Sequence, residues 1–219
     1  MHVPHTPPAD PRRNAAARRA QLVSAAITVF SRVGFHRATV KEITSTAGMS
    51  AGLPYQYVQD KHDLLFLALQ HIVEANRREL PSAIASSSEP LLRLARAIDA
   101  YTRVIALNRR AVLLTYRETK SLRQEDAEAI KRMELETNAL IATCVEQCVR
   151  SGVLRPHHTE LLVFRIIVAA HAWALKNWRL RSIVTLDQYI EQCIHACWYP
   201  LLTPRGRRRW QRLRSETAG

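Results

Sequence analysis

Residues 38–65 read ATVKEITSTAGMSAGLPYQYVQDKHDLL, a stretch with the spacing of two short helices separated by a tight turn. Its first part predicts an amphipathic helix over about residues 40–47, with Thr39 as the N-cap. Gly48 suits the turn, because a positive φ costs other residues more than it costs glycine. Ser50 then suits the N-cap of a second short helix, which carries two tyrosines. This order of elements predicts a helix-turn-helix, whose second helix enters the major groove of DNA.

The flanking sequence supplies further helices on both sides of this motif. An apolar stripe predicts a helix over about residues 12–33, and Gly34 suits the glycine that ends it. After the motif, Asp60 can cap a helix that runs over about residues 61–79. Residues 81–90 (PSAIASSSEP) are predicted to form a loop. Further helices are predicted over residues 91–107, 110–119, 124–150, 159–181 and 186–202.

These patterns predict an all-α protein and divide the 219 residues into four parts. Residues 1–11 carry four prolines and are predicted to form a disordered arm. Residues 12–60 are predicted to form the helix-turn-helix domain, and residues 61–203 a larger helical body, to which the family resemblance described below assigns effector binding and dimerisation. Residues 204–219 hold six arginines against one glutamate and are predicted to form an exposed basic tail. A second contact with nucleic acid or membrane is the alternative for this tail.

Composition limits the partners of the protein. The formal net charge of +13 favours a polyanion, either nucleic acid or an anionic membrane surface. The longest apolar run, residues 161–175, is shorter than the ~20 apolar residues that a membrane-spanning helix needs. The run is also interrupted by Arg165 and His171. Because the N-terminus lacks the apolar segment of a secretory signal, we predict a cytoplasmic protein without a membrane partner.

Four cysteines lie in two pairs, Cys144/Cys148 and Cys193/Cys197, and each pair shares one face of a predicted helix. A metal or redox site is geometrically possible. Cysteine is nevertheless among the most buried residue types, and both pairs continue apolar stripes, which favours a packing role. The sequence has no glycine-rich phosphate loop, HExxH or GxSxG motif. We therefore predict no catalytic residue, no metal and no cofactor.

The motif and its flanks resemble a known family. Residues 20–69 are similar to the N-terminal DNA-binding domain of the TetR/AcrR transcriptional regulators. The phrase HAWALKNWRL, residues 171–180, resembles a subgroup tied to acyl-CoA or lipid metabolism. The positions that carry the first resemblance are Phe30, Gly34, Phe35, Thr39, Ile43, Ala47, Gly48, Ser50, Gly52, Tyr55, Tyr57, Lys61, Leu64 and Leu65.

The resemblance implies a nine-helix homodimer that acts as a ligand-responsive repressor and not as an enzyme. Residues 159–181 and 186–202 would supply a four-helix dimer bundle. A small-molecule effector in the body would release double-stranded, palindromic operator DNA. Thr44 and Pro54 depart from the family pattern, which has alanine and an aliphatic residue at these positions. With the basic tail, these departures leave one alternative open, a basic accessory protein that binds DNA without sequence preference.

The predicted DNA contacts cluster in and around the second helix of the motif. Gln56 can pair with an adenine edge, as a bidentate amide does. The resemblance implies phosphate contacts for Tyr55 and Tyr57, and Lys61 lies at a helix start that favours an anion. Solvated or packed side chains are the alternative at each position. The full predicted set is Thr39, Lys41, Ser50, Ala51, Gly52, Tyr55, Gln56, Tyr57 and Lys61.

Effector contacts are predicted from polar and aromatic residues that interrupt or border apolar stripes in the body. Ligand pockets are largely apolar, with a few placed polar groups. The candidates are Tyr101, Arg117, His171 and Trp173. An ordinary structural role is the alternative for each of them. Trp173 suits a dimer core equally well, because aromatic residues are enriched at interfaces.

Overall fold

The computed structural model describes residues 11–50 and 52–217, except for the side chains of residues 11–14, 54, 55, 194, 195 and 217. Within this part of the chain lie ten α-helices and three short 3₁₀ turns, and one isolated β-bridge joins Leu154 to Leu202. The all-α prediction is confirmed, with ten helices where the resemblance implied nine. The predicted disordered arm lies outside the described residues, apart from Pro11, which begins the first helix.

The helices follow one another with short connections. They are α1 (Pro11–Val33), α2 (Val40–Thr46), α3 (Lys61–Ala85), α4 (Pro90–Leu107), α5 (Arg109–Glu118), α6 (Gln124–Arg150), α7 (Thr159–Leu175), α8 (Asn177–Leu180), α9 (Leu186–Trp198) and α10 (Pro204–Thr217). The 3₁₀ turns are Leu53–Gln56, Thr119–Ser121 and Tyr199–Leu201.

A first hydrophobic core joins α1, α2 and the first half of α3, and we call this unit the head. Phe30, Ile43, Leu64 and Leu65 are fully buried in it. Gly34 ends α1 with a φ of +80°, and its N–H donates to the Phe30 carbonyl over 2.9 Å. The C-terminal glycine predicted for this helix is therefore present in the geometry that glycine favours.

The remaining helices form the body, which has its own core, and α3 passes from the head into it. The predicted loop at residues 81–90 is wrong, because α3 continues through Pro81 to Ala85. Pro81 removes one helical hydrogen bond, but the neighbouring Leu80 and Ile84 are buried in the body core and hold the turn in place. The connection to α4 is limited to residues 86–89.

Two other boundaries differ from prediction. The helix predicted over residues 159–181 ends at Leu175, and the four-residue α8 follows it. The helix predicted over residues 186–202 ends at Trp198 and passes into a 3₁₀ turn. Pro200 lies within that turn, and its missing N–H prevents an α-helical bond at this point.

The predicted exposed tail is wrong, because residues 204–217 form α10 and pack on the body. Trp210 and Leu213 are buried, and the Trp210 ring lies 5.0 Å from the Trp198 ring between centroids. Gly206 packs so closely that an added Cβ would lie 2.1 Å from the Val153 carbonyl oxygen. Gly206, Trp210 and Leu213 are spaced so that they lie on one face of α10. The arginines around them conceal this face in the sequence.

Both cysteine pairs lie in the helical body. Cys144, Cys148 and Cys197 are buried in the body core as free thiols, and Cys193 is partly buried. Burial raises the pKa of Cys148 to about 12, which keeps that thiol protonated. This placement agrees with a packing role.

In the described part of the chain, no helix combines the length and apolar character that crossing a membrane requires.

Candidate DNA-binding surface and effector cavity

The turn after α2 has the geometry predicted for it. The Thr39 hydroxyl caps α2 by accepting from the Glu42 N–H over 3.1 Å. Gly48 has a φ of +66°, and the Met49 N–H donates to the Thr44 carbonyl over 3.1 Å. This glycine reverses the chain directly after α2, as a helix-turn-helix requires.

The second element of the motif is shorter than predicted. The structure has a single 3₁₀ turn, Leu53–Gln56, in place of an α-helix capped by Ser50. The Leu53 N–H donates to the Ser50 carbonyl over 3.1 Å, which is a three-residue 3₁₀ spacing. Gly52 is a poor helix former, and Pro54 lacks the N–H that would continue an α-helical pattern.

Most of the predicted DNA contacts that the structure describes are exposed. These are Thr39, Lys41, Ser50, Gly52 and Gln56. Tyr57 is half-buried against the head core. Ala51 and the side chain of Tyr55 lie outside the described residues. The exposed residues provide hydroxyl, amide and ammonium groups, which are ordinary donors to base edges and phosphates.

Lys61 is partly engaged within the head. Its Nζ donates to the His36 carbonyl over 3.1 Å and lies 4.5 Å from the centroid of the Phe35 ring. The N–H groups of the first turn of α3 already have an acceptor, because Asp60 Oδ1 accepts from the His62 N–H over 2.7 Å. An anion would therefore meet the Lys61 ammonium there, and not the open helix end that the sequence suggested.

The end of α5 holds the end of α1, a contact that we call the α5 clamp. Glu118 is buried, and its Oε1 accepts from the Phe35 N–H over 3.3 Å and from Arg117 Nε over 2.9 Å. Arg117 also donates to the carbonyls of Phe30 and Ser31. Arg117, which was predicted to contact an effector, thus joins the body to the head.

A second contact between head and body lies at the start of α3. Arg123, which precedes α6, forms ion pairs with Asp60 and Asp63, and the Asp63 pair spans 2.7 Å. Burial raises the pKa of Asp63, but hydrogen bonds from Arg123 and from the Gln59 N–H outweigh burial and lower the pKa overall. Both carboxylates therefore stay charged and paired at neutral pH.

A cavity with an empty volume of about 440 Å³, part of it open to solvent, lies between α3, α4, α5, α6 and α7. Tyr101 and His171, two of the predicted effector residues, line it together. Trp173 does not line it, since its ring packs 5.1 Å from the Tyr189 ring between centroids. The full lining is Leu69, Ile72, Val73, Asn76, Tyr101, Val112, Thr115, Tyr116, Glu134, Thr137, Asn138 and His171.

His171 bridges two tyrosines in this cavity. Its Nε2 lies 2.9 Å from the Tyr101 hydroxyl, and its Nδ1 lies 2.9 Å from the Tyr116 hydroxyl. Burial lowers the pKa of His171 to about 4, so the imidazole is neutral at pH 7. Burial also raises the pKa of Tyr101 well above its usual range. The bridge is therefore uncharged and hydrogen-bonded on both sides.

Tyr116 and Glu134 are among the polar residues of the cavity that the sequence did not predict. Tyr116 lies next to Arg117 on α5 and shares His171 with Tyr101. Glu134 is exposed on α6 at the cavity, yet the surrounding protein desolvates it enough to raise the pKa of its carboxyl. The spacing of Glu134 and Asn138, four residues apart on α6, is the signal that could have placed both on one face.

An apolar face remains open on α7. Leu161, Phe164 and Val168 are 60%, 43% and 60% exposed, and their spacing puts them on one side of the helix. A shallow groove joins this face to Ala196 and Cys197 on α9. These residues fall within the stretch, 159–202, that is predicted to form the dimer.

A helix-turn-helix head on an all-α body with an internal cavity has the architecture of a DNA-binding transcription regulator, and the comparisons with known proteins agree. The family description "Bacterial regulatory proteins, tetR family" matches residues 22–68. The description "Tetracyclin repressor-like, C-terminal domain" matches residues 87–179. The chain belongs to the TetR family of transcriptional regulators, which are not enzymes.

Individual relatives support this assignment over most of the chain. The chain is 38% identical over 190 residues to the HTH-type transcriptional regulator HbdR of Aromatoleum sp. (strain CIB), a match that covers 87% of this chain and 83% of HbdR. It is 24% identical over 200 residues to the HTH-type transcriptional repressor KstR2 of Rhodococcus jostii (strain RHA1), over 90% of this chain and 98% of KstR2. The structure of the fatty acid degradation regulator FadR from Bacillus halodurans superposes with a TM-score of 0.69 at 18% identity, over 83% of this chain and 94% of that one.

Proposed function

We propose that this protein is a homodimeric repressor that leaves a palindromic operator when a small-molecule effector binds in the cavity. Helix α5 is the observation that carries the proposal. Thr115 and Tyr116 line the cavity, and the next two residues, Arg117 and Glu118, form the α5 clamp on the head. A ligand that displaces the end of α5 therefore acts directly on the position of the head. The proposal requires a cytoplasmic protein associated with the nucleoid.

DNA binding is assigned to the head. Exposed groups on α2 and on the turn that follows supply the contacts, with Gln56 for a base edge and Lys41 for a phosphate. Tyr57 is half-buried against the head core, so its ring supports the turn, and the phosphate contact that the resemblance implies is assigned to its hydroxyl. Lys61 adds a cation at the same end of the head. Tyr55 keeps the phosphate contact that the resemblance implies, and Ala51 keeps its place in the predicted set of DNA contacts.

The homodimer is assigned to residues 159–202. Three large apolar side chains exposed on one side of α7 support this assignment, because a contiguous apolar patch on a folded protein marks an interaction surface. An interface between identical helices is two-fold, and a two-fold dimer reads two half-sites of opposite direction. The operator is therefore expected to be palindromic.

The effector is assigned to the cavity, where Leu69, Ile72, Val73 and Val112 supply an apolar wall. Such a wall suits the hydrocarbon part of the acyl-CoA or lipid-related compound that the sequence suggested. Release follows if the effector binds the DNA-incompetent arrangement of the heads better than the competent one. Operator DNA must then weaken effector binding by the same factor.

The experiment for DNA recognition is a fluorescence anisotropy titration at near-physiological salt with excess random competitor. The labelled DNA is a duplex selected with this protein from a random pool. Gln56→Ala should weaken specific binding by about tenfold, the loss of one bidentate base contact. Gln211→Ala is the matched control, because Gln211 is exposed on α10, in the body. Equal binding by both variants would contradict the assignment of Gln56 to a base contact.

The alternative function is DNA coating without sequence preference, and the short recognition turn, Leu53–Gln56, favours it. The Thr44 departure does not, because the buried Thr44 hydroxyl donates to the Val40 carbonyl over 2.6 Å and so fits its site. Competitor DNA separates the two functions, because phosphate-only binding is lost to any DNA in excess and falls steeply with salt.

A further inference from the structure

We propose that the cavity selects an effector whose polar group donates a hydrogen bond and carries no negative charge, attached to an apolar part. This inference rests on the proposed function, because it takes the cavity as the effector site. The inference restricts the class of effector expected above, an acyl-CoA or lipid-related compound, because any anionic group of such a compound would have to stay outside the cavity. Three observations on the lining residues support it.

The first observation is the sign of the charge at the cavity. Among the described residues that line it, none is lysine or arginine, and Glu134 is the charged one. A ligand anion would therefore lose its hydration without gaining a cation as a partner, and it would approach a carboxylate. Burying an unpaired charge is strongly unfavourable. A ligand with a negative group must leave that group outside the cavity.

The second observation is the tyrosine–histidine bridge. A neutral imidazole has one N–H and one bare nitrogen, so one of its two tyrosines donates to it and the other accepts from it. The Tyr101 and His171 rings are stacked with centroids 5.9 Å apart, which fixes the imidazole. Tyr116 is more exposed than Tyr101 and lies at the open side of the bridge. The bridge can exchange neutral hydrogen bonds with a ligand but cannot provide a positive charge.

The third observation is Asn76, whose side chain lines the cavity although only 3% of the residue is exposed. No described residue donates a hydrogen bond to its Oδ1. Buried amide oxygens in folded proteins nearly always have a donor, so a ligand donor that reaches Asn76 Oδ1 would satisfy this atom. Because the Glu134 carboxylate is another acceptor, the lining favours a ligand that donates hydrogen bonds.

The experiment uses four fluorinated probes of similar size and the full-length dimer. The probes are 4-fluorophenol (neutral donor), 4-fluorobenzylamine (cationic donor), 4-fluorotoluene (no donor) and 4-fluorobenzoate (anion). Their dissociation constants are measured by fluorine NMR at pH 7. Fluorophenol is expected to bind about tenfold more tightly than fluorobenzoate, the effect of one unpaired anion near the partly desolvated Glu134 carboxylate. Fluorophenol is also expected to bind about fivefold more tightly than fluorotoluene, for one additional hydrogen bond.

Two variants locate these preferences in the cavity. Glu134→Gln should reduce the preference for fluorophenol over fluorobenzoate, and Asn76→Leu should reduce the preference for fluorophenol over fluorotoluene. Glu136→Gln is the control for the first variant, because Glu136 is exposed on the same helix and does not line the cavity. Circular dichroism of each variant establishes that it is folded before the preference is interpreted.

The proposal is overturned if fluorobenzoate binds as tightly as fluorophenol or if none of the probes binds. It is also overturned if Glu134→Gln and Glu136→Gln change the preference for fluorophenol over fluorobenzoate by the same factor. Its failure is distinguishable from failure of the proposed function. An anionic ligand that occupies the cavity and releases operator DNA would refute the charge selection and leave the repressor function intact. If fluorophenol binds more tightly than fluorobenzoate and fluorotoluene, as expected, while no cavity ligand releases DNA, then effector control alone is refuted.

Discussion

Replacement of Glu118 by alanine is expected to destabilise the protein and to loosen the head. In the native structure this buried carboxylate accepts from the Phe35 N–H, from Arg117 Nε and, through Oε2, from the Ser121 hydroxyl over 3.2 Å. A hydrogen bond to a charged group contributes about 1.5–3 kcal/mol to stability. The Phe35 bond is long, and water can replace the carboxylate at the half-exposed Arg117. The expected loss of unfolding free energy is therefore about 2–3 kcal/mol and not the sum of three full bonds.

The assay is equilibrium urea unfolding at matched protein concentration, because a dimer gains stability with concentration. Glu128→Ala is the control, since Glu128 forms an exposed pair with Lys131 over 2.8 Å. Exposed pairs contribute less than about 1 kcal/mol. A loss for Glu118→Ala below about 1 kcal/mol, or equal to that of Glu128→Ala, would refute the α5 clamp as a stabilising contact.

The same variant tests how the cavity communicates with DNA. If ligand in the cavity moves the head through α5, Glu118→Ala should retain operator binding but lose most of the ligand-dependent release. The ratio of operator affinities with and without ligand, measured by anisotropy, reports this coupling directly. A full ligand response in the folded Glu118→Ala protein would mean that the signal takes another route.

Three further predictions concern other parts of the molecule. Burial lowers the pKa of His171 from 6.5 to about 4, so between these pH values the unfolded chain binds a proton at His171 that the folded protein does not. The free energy of unfolding therefore contains a contribution from neutral His171 that is fully present above pH 6.5 and is lost as the pH falls to 4. The loss is at most about 3 kcal/mol, and an unchanged pH profile of urea unfolding in His171→Gln would exclude the neutral bridge. Gly206→Ala should detach α10, because the new Cβ would clash with the Val153 carbonyl; faster tryptic cleavage within residues 204–217 is the readout, and wild-type resistance would argue against the packing. Val168→Asp should convert the dimer to monomer in sedimentation analysis while Leu107→Asp, at an exposed position outside residues 159–202, does not, and a dimeric Val168→Asp protein would exclude the α7 face as the interface.

The sequence predicted best those features that local physics determines. The stripe of α1, the Thr39 cap and the positive φ at Gly34 and Gly48 depend on neighbouring residues, and each is present in the structure. The recognition turn was predicted as an α-helix because Ser50 suits an N-cap and proline, here Pro54, is tolerated in a first helical turn. That proline and the preceding glycine limit the turn to 3₁₀ geometry.

The features that escaped prediction depend on contacts between distant residues. Arg117 interrupts an apolar helix, a pattern shared by pocket residues and by contacts between domains, and its partner Phe30 lies 87 residues away. Tyr116 and His171 meet across 55 residues, which no local pattern indicates. In α10 the high charge concealed the apolar stripe that ends in Trp210 and Leu213.

The most direct test of the account is a thermodynamic cycle with this protein, the selected operator duplex and a ligand that NMR places in the cavity. Ligand affinity is measured for free and DNA-bound protein, and operator affinity is measured with and without ligand. The account predicts that ligand weakens operator binding and that DNA weakens ligand binding by the same factor, of the order of 5–150-fold for a coupling of 1–3 kcal/mol. A ligand that occupies the cavity and binds equally to free and operator-bound protein would contradict effector control of DNA binding.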